Sequence, residues 1–258
     1  MRYAHNAAAY EAEEWSRPDE MALFNLLWTT ARRELDARPG SRVLDLCCGS
    51  GMSLLGIVSH PHIDQALGLD IAAPLVEFAS LRYRPFGNVF FLQSDAVCPP
   101  LQPDSFDLIV ASSAYHHIRH HLKRDFLMSC VRLLKHDGIL LMAENVLPPY
   151  LDDEHAYDSA VRELYGEVLD TALSSYPDLP PQIRDMIDEN VILSLRREYE
   201  FKVSREQLLS DAGHVGLVLR SDARAWPSDA ELIGRTGGNF LFTFSRRSSA
   251  GPAWEYVD

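Results

Sequence analysis

Two stretches of this chain gather residue types that could do chemistry. The first is Val43-Leu44-Asp45-Leu46-Cys47-Cys48-Gly49-Ser50-Gly51. An apolar run around one acid gives way to small, flexible residues, the pattern of a strand ending in a tight turn with a helix starting near Gly51. Such a turn lets the backbone approach a ligand, and a helix N-terminus offers free N–H groups. A dinucleotide fingerprint would read G-x-G-x-x-G, but the corresponding positions are Cys47, Gly49 and Ser53 or Leu54. The turn therefore suits a ligand whose polar end is a zwitterionic amino acid better than a pyrophosphate. The second stretch is Tyr115-His116-His117-Ile118-Arg119-His120-His121. Histidine can take a proton from a hydroxyl or amine near neutral pH, so His116 and His117 are the candidate general bases. In a helix, His116/His120 and His117/His121 would sit one turn apart and could face a common ion. No Glu separates them as in H-E-x-x-H, and only Asp125 could add a ligand, so no metal site is expected. Glu144-Asn145 lacks the second acid that a divalent-ion site needs and reads as a wall of the substrate pocket.

The surrounding elements must bring these stretches together. Residues 19–37 have the apolar spacing of a helix that Asp19 caps and Pro39-Gly40 ends. Strands are predicted at 42–46, 66–70, 89–92, 106–111 and 138–143, with helices at 74–83 and 122–135 between them. Uniformly apolar strands alternating with helices predict βαβ units and a mainly parallel, buried sheet. After Pro148-Pro149 the rhythm breaks, and residues 152–196 carry two helices with no strand between them. Ser204-Arg205-Glu206-Gln207 is a capping-box sequence that opens a helix closed by Gly213. Strands at 215–219 and 240–244 follow. The second stretch lies just after the fourth strand, where parallel α/β sheets place their reactive groups.

In this context the first stretch resembles motif I of the class I (Rossmann-like) S-adenosylmethionine-dependent methyltransferases, with Cys47 in the first glycine slot. Its Cys-Cys-Gly-Ser-Gly form is similar to that of the ubiquinone/menaquinone-biosynthesis group of small-molecule methyltransferases. The other family markers resemble Asp70, Ser94-Asp95-Ala96, Ser105 to Val110, and Arg132 to Gly138, in that order. Tyr115-His116-His117-Ile118 resembles a Leu-His-His-Ile stretch of the same family. The resemblance covers residues 40–145 by motif, and 204–246 in topology only. It implies that Cys47, Gly49 and Gly51 let the backbone lie against the methionine portion of the cofactor, and that Asp45 helps fix its ammonium group directly or through water. It further implies that Asp70 holds the ribose, Ile71 packs on the adenine face, Asp95 and the Ala96 amide meet the adenine edge, and Ser112 offers backbone to the methionine end. Asp45 and Asp70 also suit plain loop capping.

The implied fold is an α/β seven-stranded, mainly parallel sheet with helices on both faces, the last strand antiparallel, and a helical lid inserted after the fifth strand. The expected divisions are an N-terminal helical cap at 1–38, a cofactor-binding core at 39–147, a substrate lid at 148–203, the remainder of the sheet at 204–247 and a tail at 248–258. Tyr115, Tyr157 and Tyr165 are the expected substrate-binding residues, with Tyr150 and Tyr176 as further pocket lining. Tyr3, Tyr10 and Trp15 are candidates for folding over the cofactor.

The bulk composition bounds the partners. The chain has 258 residues, 47% of them hydrophobic, and a net charge of −13. A nucleic-acid binder needs a basic footprint to displace counterions, so nucleic acid is not expected as substrate. No apolar run reaches the ~18 residues that a membrane-spanning helix requires. Met1-Arg2-Tyr3-Ala4-His5 lacks the apolar core of a secretory signal, and Cys47, Cys48, Cys98 and Cys130 lack disulfide or zinc spacing. A cytoplasmic protein with reduced thiols is the expectation, and a homodimer remains open. The expected activity is methyl transfer from S-adenosylmethionine to O, N or C of a small biosynthetic acceptor. The rival expectations are non-methyl-transfer chemistry on the same cofactor and a non-catalytic binding or regulatory module.

Overall fold

The computed structural model describes residues 7–150, 153–175, 178, 181–227 and 237–247. Two helices, α1 (Ala7–Ser16) and α2 (Pro18–Asp36), precede β1 (Ser41–Leu46), α3 (Met52–Leu55), β2 (Ile63–Asp70), α4 (Ala73–Tyr83), β3 (Val89–Gln93) and β4 (Phe106–Ser112). Then follow α5 (Lys123–Leu133), β5 (Leu134–Val146), α6 (Glu154–Ser175), α7 (Pro181–Arg196), α8 (Arg205–His214), β6 (Leu217–Trp226) and β7 (Gly238–Arg246). The seven strands form one sheet in the order β3-β2-β1-β4-β5-β7-β6. Pairing is parallel from β3 through β5, while β7 runs antiparallel to both β5 and β6. The expected sheet is therefore the observed one. Strand order reverses between β1 and β4, and a cleft opens beyond their carboxyl ends.

Strand alternation builds the two sides of the core. Leu44, Leu46, Ile109 and Ala111 face a cluster with Phe126 and Leu127 of α5. Their strand neighbours Val43, Leu108 and Val110 face the opposite side, against Leu23, Leu27 and Leu35 of α2. All three α2 leucines are fully buried, and each contributes about 1.5–3 kcal/mol relative to exposure. A smaller cluster of Tyr157, Val161, Leu164 and Ile187 packs α6 against α7.

Several elements differ from the expectation. The helix after the turn is only Met52–Leu55. Trp28 of α2 packs over its end: its indole donates to the Ser53 carbonyl at 3.0 Å, and a Cβ on Gly56 would stand 2.1 Å from the ring. The histidine run is not one helix. It forms two 3₁₀ turns, Tyr115–His117 and His120–Leu122, with Ile118 extended (ψ 127°) and Arg119 likewise (ψ 142°). The i,i+4 histidine pairs are thereby broken. β5 begins at Leu134, and β6 continues to Trp226, well past the expected end at 219. Its second half pairs with β7 through polar residues such as Ser221 and Asp222, which an edge strand tolerates but an apolar pattern does not mark. Tyr3, Tyr176 and the expected tail lie outside the described residues. No helix among the described residues is long and apolar enough to cross a membrane.

Candidate active site

β1 ends at Leu46 and the chain turns within five residues by three left-handed positions: Cys47 (φ 58°), Gly49 (φ 53°) and Gly51 (φ 83°). The Cys48 N–H donates to Leu69 of β2 at 2.9 Å, which ties the turn to the neighbouring strand. Asp70, at the end of β2, completes it. One of its oxygens accepts the Gly49 N–H at 2.9 Å and the other the Ala72 N–H at 2.8 Å. The acid is thus a capping group for two loops, and it also faces the cleft.

A cavity of about 1240 Å³ occupies that cleft. Cys47, Gly49, Asp70, Ile71, Asp95 and Ala96 form one part of its wall, and Ser112 at the end of β4 joins them. Ile71 is 61% exposed, an apolar side chain left bare at the cavity. Asp95 accepts the Val97 N–H at 2.8 Å, which fixes the loop after β3. Burial and the nearby Asp70 and Asp45 carboxyls push the Cys47 thiol well above its ordinary value, so it stays protonated. From the N-terminus, Tyr10, Glu14, Arg17 and Glu20 add to the wall. Arg17 reaches Asp19 at 3.0 Å and Glu20 at 2.9 Å, and Arg82 of α4 holds Glu11, so α1 is anchored beside the cleft.

Asp45 and Gly51 do not line the cavity. Asp45 is fully buried beneath the turn, and neither of its oxygens has a hydrogen-bond partner. Burial, then the neighbouring Asp70, raise its carboxyl well above the usual range. Gly51 is glycine for packing reasons, since a Cβ there would lie 2.8 Å from the Tyr83 ring, whose hydroxyl donates to the Gly51 carbonyl at 2.7 Å.

The histidines line the far part of the same cavity. His116 is buried, and its Nδ1 lies 2.8 Å from Glu144 Oε2, across from the carboxyl end of β5. The other oxygen of Glu144 accepts the Ala114 N–H at 2.8 Å and the Tyr115 N–H, which holds the 3₁₀ turn. With Nδ1–H directed at a carboxylate, Nε2 is the ring nitrogen with the free lone pair. Burial, then Lys202 and His117, hold His116 well below its ordinary value, so it is neutral at neutral pH. The His117 ring centroid lies 4.2 Å away, and its Nδ1 donates to the Tyr199 carbonyl at 2.7 Å. Glu200 and Lys202, on the segment entering α8, close this end with an ion pair of 3.0 Å. Burial alone would raise Glu200, but Lys202 and then His116 and His117 bring it down to about 2.

The expected tyrosines divide. Tyr165 of α6 lines the cavity, together with Asn190 and Leu193 of α7. Tyr115 and Tyr157 do not. Tyr115 is buried in the core with its hydroxyl on Asp211 at 3.0 Å, and Tyr157 gives its hydroxyl to the Ser194 carbonyl at 3.1 Å inside the α6–α7 packing. Both hydroxyls are consumed by the fold, and of the three expected substrate residues only Tyr165 reaches the cavity wall. Trp15 turns outward, 46% exposed, against Trp28. Sequence reasoning missed Glu144 as the partner of His116, and missed Glu200 and Lys202 altogether. The adjacency of β4 and β5 would have pointed to Glu144, because a strand-end acid beside a strand-end histidine can reach it. No pattern marks residues 200 and 202.

The cavity wall fits an S-adenosylmethionine type of ligand. It pairs a close-approach turn with strand-end acids and a bare apolar side chain, and the buried Ser112 hydroxyl has no hydrogen-bond partner of its own. Comparison with known proteins agrees. Residues 43–138 match the family described as a methyltransferase domain. The uncharacterized methyltransferase YcgJ of Bacillus subtilis (strain 168) is 34% identical over 122 residues, 46% of this chain and 47% of that one. The chain thus spans about half the length of that relative. The ubiquinone/menaquinone biosynthesis C-methyltransferase UbiE of Pseudomonas savastanoi pv. phaseolicola is 30% identical over 188 residues, 68% of this chain and 71% of that one. In fold, the chain is like the N-methyltransferase NodS of Bradyrhizobium japonicum WM9, solved with S-adenosyl-L-homocysteine: TM-score 0.59 at 14% identity, covering 90% of this chain and 89% of that one. Turn, strand-end acids, sheet order and sequence relatives converge, and the chain belongs to the class I S-adenosylmethionine-dependent methyltransferases.

Proposed function

We propose that this protein transfers a methyl group from S-adenosylmethionine to an O, N or C atom of a small biosynthetic acceptor. One observation carries the reading: the turn with its strand-end acids and the Glu144-held His116 open onto a single cavity. The bound cofactor supplies an electrophilic methyl group on a sulfonium. The chain's own residues do the rest. Gly49 and Cys47 present backbone to the methionine portion, Asp70 takes the ribose hydroxyls, and Ile71, Asp95 and Ala96 receive the adenine. Ser112 stands at the methionine end, while Asp45 lies beneath the turn and off the cavity wall, so the ammonium contact expected of it is left to the backbone of the turn. Much of the rate comes from aligning the acceptor and excluding water.

His116 takes the acceptor proton on Nε2, while Glu144 fixes the tautomer and stabilises the imidazolium that forms. His117, beside it and more exposed, is the second candidate for this role. Residues 148–203 act as the substrate lid, since α6 and α7 bring Tyr165, Asn190 and Leu193 to the wall. The net charge of −13 favours a small acceptor over a polyanion.

Single-turnover kinetics on the two histidines test the mechanism. His→Ala at the base should lower the rate by ~10²–10⁴. Cofactor affinity should hardly change, because the base meets only the acceptor. Should both variants keep rates within about tenfold, alignment alone drives transfer and histidine leaves the mechanism.

A further inference from the structure

We propose that His116, His117 and Glu200 form a binding site for a divalent transition-metal ion, and that an ion held there blocks the acceptor end of the cavity. Each of the three side chains offers one ligand atom, and these atoms lie within 4.8 Å of one another. Glu200 sits between the two imidazoles: one oxygen is 3.9 Å from His116 Nε2 and the other 3.8 Å from His117 Nδ1. A tetrahedral ion with bonds of ~2.0–2.1 Å spaces its ligands by roughly 3.3 Å, so drawing in ligand atoms that stand up to 4.8 Å apart takes side-chain movement of up to about 1.5 Å.

Three further features favour an ion. His116 Nδ1 is held by Glu144 at 2.8 Å, the carboxylate–histidine support that orients metal-ligating imidazoles. His117 gives Nδ1–H to the Tyr199 carbonyl, which leaves its Nε2 lone pair free. Glu200 is buried, and one of its oxygens has no directed hydrogen bond, only the Lys202 ammonium 3.0 Å away. Loading the ion replaces Lys202 as the countercharge, and Lys202 keeps its contact to Asn145. Two imidazoles and one carboxylate suit zinc or another first-row transition ion; magnesium and calcium prefer an all-oxygen shell.

The consequence for turnover rests on the proposed base role of His116. An ion takes the Nε2 lone pair that the acceptor proton needs, so metal and base catalysis exclude each other. Binding itself does not depend on that role.

Equilibrium dialysis of the full chain with Zn²⁺ alone, without cofactor or acceptor, tests the site. The wild-type protein should take one ion per chain. Glu200→Gln and His117→Gln should each weaken binding about tenfold or more, while His214→Gln on the surface of α8 should not. Circular dichroism and thermal melts check that the variants fold. X-ray absorption of the zinc-loaded wild type needs no variant, and it should show two imidazole ligands and no sulfur. Failure to bind Zn²⁺, sulfur scattering, or unchanged affinity in both variants would overturn the site. Inhibition of methyl transfer should track Zn²⁺ occupancy; turnover that persists or rises in the loaded protein overturns the blocking role. A chain that binds Zn²⁺ as described but methylates nothing keeps the site and loses the proposed activity.

Discussion

Asp70 shows how one residue can serve fold and ligand together. Its position after the second strand is legible in sequence, and so was the alternative of loop capping. The structure shows the capping, with both oxygens on backbone N–H groups, and also places the carboxylate on the cavity wall. Each oxygen keeps a further lone pair for a ligand hydroxyl. Asp70→Ala should therefore weaken S-adenosylmethionine binding by roughly 1.5–3 kcal/mol, measured by calorimetry. Equal affinity in a folded variant would confine Asp70 to capping. The His116–Glu144 pair was not legible, because it joins residues 28 apart that only strand adjacency brings together. Tyr115, Tyr157 and Tyr165 could not be told apart either. An aromatic residue on a helix or turn has the same pattern whether it meets a cavity or a neighbouring element.

At the scale of elements, apolar runs marked every strand of the sheet, and the Ser204 capping box marked the start of α8, whereas Asp19 is not the cap of α2, which starts at Pro18 after Arg17. Boundaries failed where tertiary packing decided them. The short α3 is set by Trp28, which no local pattern announces; Gly56→Ala should push a methyl into that ring and cost ~1–3 kcal/mol in chemical denaturation. The α6–α7 pair gives a paired test of the lid. Tyr165→Ala should change acceptor affinity while leaving cofactor affinity within about threefold, under ~0.7 kcal/mol. Tyr157→Phe should leave both unchanged and lower stability by about 0.5–1.5 kcal/mol, the hydrogen bond to Ser194. Acceptor affinity that responds to Tyr157 and ignores Tyr165 would reverse their placement. At the start of α5, buried Lys123 donates to the Tyr115 carbonyl and stands 4.0 Å from its ring centroid. Burial lowers it to about 7 from 10.5, against Glu144 and Asp211, which raise it. The folded state thus binds fewer protons than the unfolded one across that window. Stability should rise with pH through it, and Lys123→Met should flatten the rise in unfolding titrations taken on either side. An unchanged slope would mean that folding does not lower the proton affinity of Lys123.

For the whole molecule, the number of strands, their mainly parallel pairing, the family and the cofactor class were legible because five motifs fall in order along one chain; the strand order was not read from the sequence. The acceptor end was not, since it combines the turn after β4, the end of β5, α6, α7 and the segment before α8. No single stretch carries that pattern. An acidic chain with a large cavity at the switch between β1 and β4 offers the room that the proposed function needs for cofactor and acceptor together. In the proposed reaction a methyl group passes between them within this cavity. Mass spectrometry of a panel of small hydroxyl, amine and activated-carbon acceptors, incubated with S-adenosylmethionine carrying a trideuterated methyl group, tests it most directly. One acceptor class should gain a single trideuteromethyl group, with S-adenosyl-L-homocysteine released in equal amount and product formation suppressed by His116→Ala. Cofactor consumed without labelled product, or bound and never turned over across the panel, would contradict it.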